Sequence, residues 1–131
     1  MITPLTLLYA SLNGLLYFIL SMWVVKARFQ HRIEIGHGEN ASLLRVIRVH
    51  ANAAEYIPLI LFFLLILEIN YASPLLLNFI GAGLFLGRIL HAFGLYGRKG
   101  PNPARFLGTV LTWLALLTGA IASLIQFAKN L

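Results

Sequence analysis

Arg48, Asn52 and Glu55 follow one another at helical spacing, which puts their side chains on one face. At about 100° per residue, Arg45, Arg48, Asn52 and Glu55 share an arc of about 80°, with Tyr56 close by. A guanidinium, an amide and a carboxylate in one stripe offer a bidentate anion donor, a two-way hydrogen-bonding group and an acceptor for an ammonium. Further along, Arg88 and His91 share a second helical arc with Leu95. Arg48 and Arg88, with peripheral Arg28, Arg45 and Arg105, outnumber Glu55 as the single deep carboxylate. That mix suits a small zwitterionic peptide with a carboxylate for the arginines. His50 points about 140° from Arg45, toward another helix or subunit. Metal binding is not expected: His50 and His91 have no third ligand at recognised spacing, and there are no cysteines. The missing cysteines also exclude a disulfide framework and a thiolate nucleophile, so any thiol must arrive with a substrate.

These side chains must be positioned by helices in a membrane. Of the 131 residues, 60% are hydrophobic and 11% charged, against a globular norm of about 45–50% and 25%. The mean hydropathy of +0.84 agrees. The length allows four spans of about 20 residues and no soluble catalytic domain. The expectation is one all-α integral-membrane domain over 1–131, a four-helix bundle with spans at about 4–25, 44–67, 74–96 and 105–128. The opening MITPLTLL lacks a basic n-region, so the first span reads as a retained anchor. A loop from Lys26 to about Ala41 holds a Gly36-His37-Gly38 turn, with Asn40 or Ser42 as N-cap of the next helix.

The apolar run Tyr56 to Leu67 covers about 18 Å, too short alone for a hydrocarbon core of about 30 Å. It spans only if the helix starts near Leu44, which draws Arg48, His50, Asn52 and Glu55 to membrane depth. The third run, Leu75 to Gly87, must likewise continue through Arg88 and His91. Glu68 to Ser73 makes these two helices an antiparallel hairpin, and counting from that turn puts Glu55 level with Arg88 and Asn52 level with His91. Glu55 and Arg88 are therefore candidates for an interhelical ion pair. The fourth span carries a small face of Gly108, Thr112, Ala115, Gly119 and Ser123, suited to packing against a neighbouring subunit or within one.

The first and third loops and their edges hold Lys26, Arg28, Arg32, Arg45, Arg98, Lys99 and Arg105, whereas the opposite side holds only Lys129. The positive-inside rule then predicts cytoplasmic loops and both termini outside the cytoplasm. Basic residues at or under the bilayer face do not suit nucleic acid.

The stretch Arg45-Val-Ile-Arg48-Val-His50-Ala-Asn52-Ala-Ala-Glu55-Tyr56-Ile-Pro58 resembles the second-helix signature of the MAPEG family, the membrane-associated proteins in eicosanoid and glutathione metabolism. Gly36-His-Gly38 and Gly87-Arg88-Ile-Leu-His91-Ala-Phe-Gly94 resemble its bacterial members. The resemblance implies a homotrimer in the inner membrane, with glutathione in a cytoplasm-facing cleft between subunits. It implies a glutathione S-transferase or glutathione-dependent peroxidase acting on a lipophilic electrophile drawn from the membrane lipids. By position, Arg48, Asn52 and Glu55 would hold the glutathione backbone, Arg88 and His91 would complete the wall, and Arg28 would reach a carboxylate. Arg105 would face the thiol as the catalytic residue. Ala51 stands where the prostaglandin-synthase-like members have arginine, and Leu95 where a family tyrosine is expected, with Tyr96 one residue later as its substitute. Because some members bind lipid without catalysis, a non-enzymatic lipid-binding scaffold is the alternative. A small proton-coupled exporter using Glu55 is a third reading, which the arginine excess disfavours.

Overall fold

The computed structural model describes residues 2–96 and 102–131, the side chains of 95 and 96 excepted. Four helices account for nearly all of them: α1 (Pro4–His31), α2 (Ala41–Ile69), α3 (Pro74–Tyr96) and α4 (Pro103–Lys129). All four are long and apolar enough to cross a membrane. With 28, 29, 23 and 27 residues they reach about 34–43 Å at 1.5 Å per residue, so each exceeds the hydrocarbon core.

α1 outlasts its apolar run. Lys26 to His31, expected in the first loop, are helical, because the end of an apolar run limits the buried span and says nothing about the hydrogen-bonded ladder. The helix stops at Arg32 in the left-handed region (φ 55°). The turn at Gly36 and Gly38 is present, both with positive φ. Asn40 is the N-cap of α2, its Oδ1 accepting from Leu43 N at 2.9 Å. Asn102 caps α4 in the same way through Ala104 N at 2.9 Å, with Pro103 at the first helical position. α1 has no local side-chain cap. Its first turn is held instead from the α2–α3 hairpin: Leu5 N and Thr6 N donate to the Glu68 carboxylate at 2.9 and 2.7 Å. An anion there meets the positive end of the α1 dipole.

α2 and α3 form the expected hairpin and occupy the centre of the bundle. α1 packs on both, α4 packs on both, and α3 with α4 is the most extensive pairing. Lipid supplies no hydrophobic drive between helices, so this pairing rests on close van der Waals contact. Two glycines show how close it is. A Cβ on Gly87 would lie 2.6 Å from Thr112 Oγ1, and one on Gly94 would clash with the Arg105 backbone. The small face of α4 accordingly turns inward: Gly108, Thr112, Ala115 and Gly119 are all buried within the subunit, Gly119 against Phe63.

Candidate functional site

Relative to Ala53, which is buried on the core side of α2, Tyr56 lies about 60° round the helix, Asn52 about 100°, Arg48 about 140° and Glu55 about 160°. Burial follows that order: Tyr56 and Asn52 are half-buried, Arg48 and Glu55 exposed. The stripe thus runs from the bundle interior to its outer surface at membrane depth.

Arg88 forms the inner end. It is 2% exposed on α3, where α2, α3 and α4 meet. Its Nε donates to Thr112 Oγ1 at 3.0 Å and its Nη2 to the same oxygen at 2.7 Å. Thr112 gives its own hydrogen to Gly108 O at 2.9 Å, which leaves its lone pairs for Arg88. Nη1 donates to Asn52 Oδ1. The guanidinium carbon lies 5.3 Å from the Tyr56 ring centroid, a cation–π contact, and Trp113 Nε1 donates to Tyr56 OH at 3.1 Å. One buried cation is therefore held by an amide, a hydroxyl and an aromatic face.

The Glu55–Arg88 ion pair is not formed. Asn52, expected level with His91, reaches Arg88 instead, and Glu55, about 60° further round α2, is exposed. Among the described residues neither Glu55 nor Arg48 has a hydrogen-bond or ion-pair partner. His91 is buried one turn beyond Arg88, with the charges of Arg88 and Arg105 acting on it. His50 faces α1: its ring stacks on Tyr17 at 4.6 Å and its Nε2 lies 3.1 Å from Ser21 Oγ. Ser21 Oγ also lies 2.9 Å from Tyr17 O, so the hydroxyl bridges the α1 backbone and the His50 ring.

Arg105 is exposed at the start of α4. It lines an open cavity of about 480 Å³ with Phe106, Val110 and Trp113, and Trp113 joins that cavity to the Tyr56–Arg88 cluster through its indole hydrogen bond. Arg28 is turned to its own loop, Nη1 donating to Glu34 O at 2.9 Å and Gly36 O at 3.1 Å. The side chain of Tyr96 lies outside the described residues. No group of metal-ligating side chains occurs among the described residues.

Thr112 and Trp113 belong to this cluster, although the sequence marked Thr112 only as a small residue and Trp113 not at all. Counting from the third loop supplies the missing signal: Arg88 lies eight residues before the end of α3 and Thr112 nine after the start of α4, at equal depth.

The MAPEG family model matches residues 6–125. The inner membrane protein YecN of Escherichia coli K12 is 38% identical over 117 residues, covering 89% of this chain and 88% of YecN. An uncharacterized protein of a Synechocystis species is 30% identical over 125 residues, covering 95% of this chain and 90% of its own. With four membrane-length helices and a match over nearly its whole length, the chain is a multi-pass membrane protein and belongs to the MAPEG family.

Proposed function

We propose that this protein is a membrane glutathione S-transferase or glutathione-dependent peroxidase for lipophilic electrophiles, working as a homotrimer in a bacterial inner membrane. The observation that carries the reading is the exposed end of the α2 stripe. Glu55 is the fifteenth of 29 residues in α2, and Arg48 lies two turns before it on the same exposed face. A charged side chain at the bilayer centre costs about 2.5–3.5 kcal/mol by insertion scales, so such a face calls for protein and a polar ligand over it. A second copy of the chain would close the site, and glutathione suits the groups: a carboxylate for Arg48, an ammonium for Glu55 and backbone amides for Asn52, which buried Arg88 holds from behind. His91 and Tyr96 would complete the wall, and Arg28 would reach across from a neighbour. The basic loops would face the cytoplasm and both termini the other side.

The chemistry needs no protein nucleophile. A free thiol has a pKa of about 8.5, and a guanidinium beside it favours the thiolate. Arg105 is assigned that role. In conjugation the thiolate forms a carbon–sulfur bond, and the electrophile loses its leaving group or gains a proton. In the peroxidase reaction a hydroperoxide and two glutathione molecules give an alcohol, water and the disulfide. The apolar walls beside Arg105 suit an acceptor arriving from lipid.

Titration calorimetry in detergent tests the binding step. Arg48→Ala is expected to weaken glutathione binding tenfold to a hundredfold, since a charge-assisted contact is worth about 1.5–3 kcal/mol. Unchanged affinity would remove Arg48 from the site.

A further inference from the structure

We propose that α1, with the walls α2 and α3 give it, forms a binding site for one anionic phospholipid, separate from the glutathione site. A cavity of about 310 Å³ lies between the last turns of α1 and the first turns of α2, lined by Trp23, Lys26, Gln30, His31, Ser42 and Arg45 among others. The chain has four acidic side chains, Glu34, Glu39, Glu55 and Glu68, and none lines this cavity. Lys26 and Arg45 have no hydrogen-bond or ion-pair partner among the described residues. The remaining polar groups add donors. Asn40 Oδ1 caps Leu43, so its Nδ2 is the group that donates to His31 Nδ1 at 3.0 Å, and the His31 proton sits on Nε2. Ser42 lies in the first turn of α2, where the helix dipole is positive. Two cations and a set of donors without an acid match a phosphate-bearing group.

A lipid, and not a free anion, is chosen because of what lies below. A wholly apolar cavity of about 330 Å³ between α1 and α3 shares Trp23 as a wall, with Leu12, Leu16, Ile19, Ile89 and Phe93. On α1 the residues Leu12, Leu16, Ile19, Trp23, Lys26 and Gln30 succeed one another at steps of four and three, one continuous stripe that is apolar below Trp23 and polar above it. From Leu12 to Trp23 is about 16 Å, close to half of the roughly 30 Å hydrocarbon core, the depth of one leaflet. Charge and chain length thus agree on the same ligand. Arg28 lies about 140° from Trp23 around α1, which keeps the α1 wall apart from the glutathione site, while Arg45, on the α2 arc of Arg48 and Asn52, borders both.

The test uses tryptophan fluorescence. The chain has two tryptophans, so Trp113→Phe leaves Trp23 as the reporter. The purified variant is reconstituted into phosphatidylcholine vesicles with increasing fractions of phosphatidylglycerol, and either lipid carries brominated acyl chains. Brominated phosphatidylglycerol is expected to quench Trp23 at a mole fraction about 25-fold lower than brominated phosphatidylcholine, about fivefold for each of the two cations. Lys26→Gln and Arg45→Gln should each remove about fivefold of that preference, and millimolar inorganic phosphate should leave it unchanged. Equal quenching by the two lipids overturns the proposal, and that comparison stands even if the glutamine variants fail to fold. So do a preference that survives both substitutions, displacement by phosphate alone, and absence of quenching by either lipid, as when a second subunit covers the face. Glutathione binding is measured separately and bears on none of these outcomes.

Discussion

Thr112→Val tests how the protein keeps a cation in its interior. Valine replaces the hydroxyl with a methyl at nearly constant volume, so the two hydrogen bonds from Arg88, at 3.0 and 2.7 Å, are lost with little repacking. Hydrogen bonds between membrane helices average only about 0.6 kcal/mol, which sets a floor of about 1.2 kcal/mol for two. Bonds to a charged donor run at about 1.5–3 kcal/mol each, which sets a ceiling of about 6. Asn52 and the Tyr56 ring still hold Arg88, so the expected loss is about 2–3 kcal/mol. For a chain of this size that is about 10 °C in the melting midpoint, followed by near-ultraviolet circular dichroism in one detergent at one concentration. Thr112→Ser, which keeps the oxygen, should lose about 1 kcal/mol or less. In an Arg88→Met background the valine substitution should cost under about 0.5 kcal/mol, because the partner is gone. A Thr112→Val protein as stable as wild type, or one whose loss is the same without Arg88, would show that the Thr112 oxygen does not hold the buried cation.

Three further outcomes are expected. Glu68→Gln weakens the cap that joins the hairpin to the first turn of α1 and should cost about 1 kcal/mol of thermal stability, with hydrogen exchange of the Leu5 and Thr6 amides faster than in wild type. Gly119→Leu should destabilise the subunit itself, because the new side chain meets Phe63 inside the bundle; a loss of oligomer with an unchanged monomer fold would place this face between subunits. In this cysteine-free chain, His37→Cys should be labelled only by reagents admitted to the cytoplasm and Asn130→Cys only from outside, and the reverse pattern would invert the orientation.

Counting residues from the hairpin turn brought Asn52, Glu55, Arg88 and His91 within about one helical turn of one another from sequence alone, because antiparallel helices with a short connection are in register by geometry. Depth does not fix rotation. The error of about 60° between Asn52 and Glu55 decided which of them meets Arg88, and that angle depends on which apolar residues of α2 pack inward, Ala53 and Ile57 among them. The end of α1 was misplaced because hydropathy marks the membrane boundary, whereas the helix continues until Arg32 takes a left-handed backbone conformation. Glu68 looked like part of a surface turn; its service to α1 joins residues 63 and 62 positions apart, beyond any local pattern. The inward turn of the α4 small face was one of two open readings, since the same spacing serves close packing within a subunit or between two.

In the proposed function glutathione binds beside Arg105 and is activated there as the thiolate. The most direct measurement is the ultraviolet difference absorbance of glutathione bound to the purified protein at neutral pH, taken with wild type and with Arg105→Ala at matched saturation. Wild type should show bound thiolate where free glutathione, with a thiol pKa of about 8.5, shows little. Arg105→Ala should keep affinity within a few-fold and lose that absorbance, because a nearby positive charge that favours the ionised form is gone. Glutathione that fails to bind, or binds wild type without forming thiolate, would exclude thiol activation by this protein.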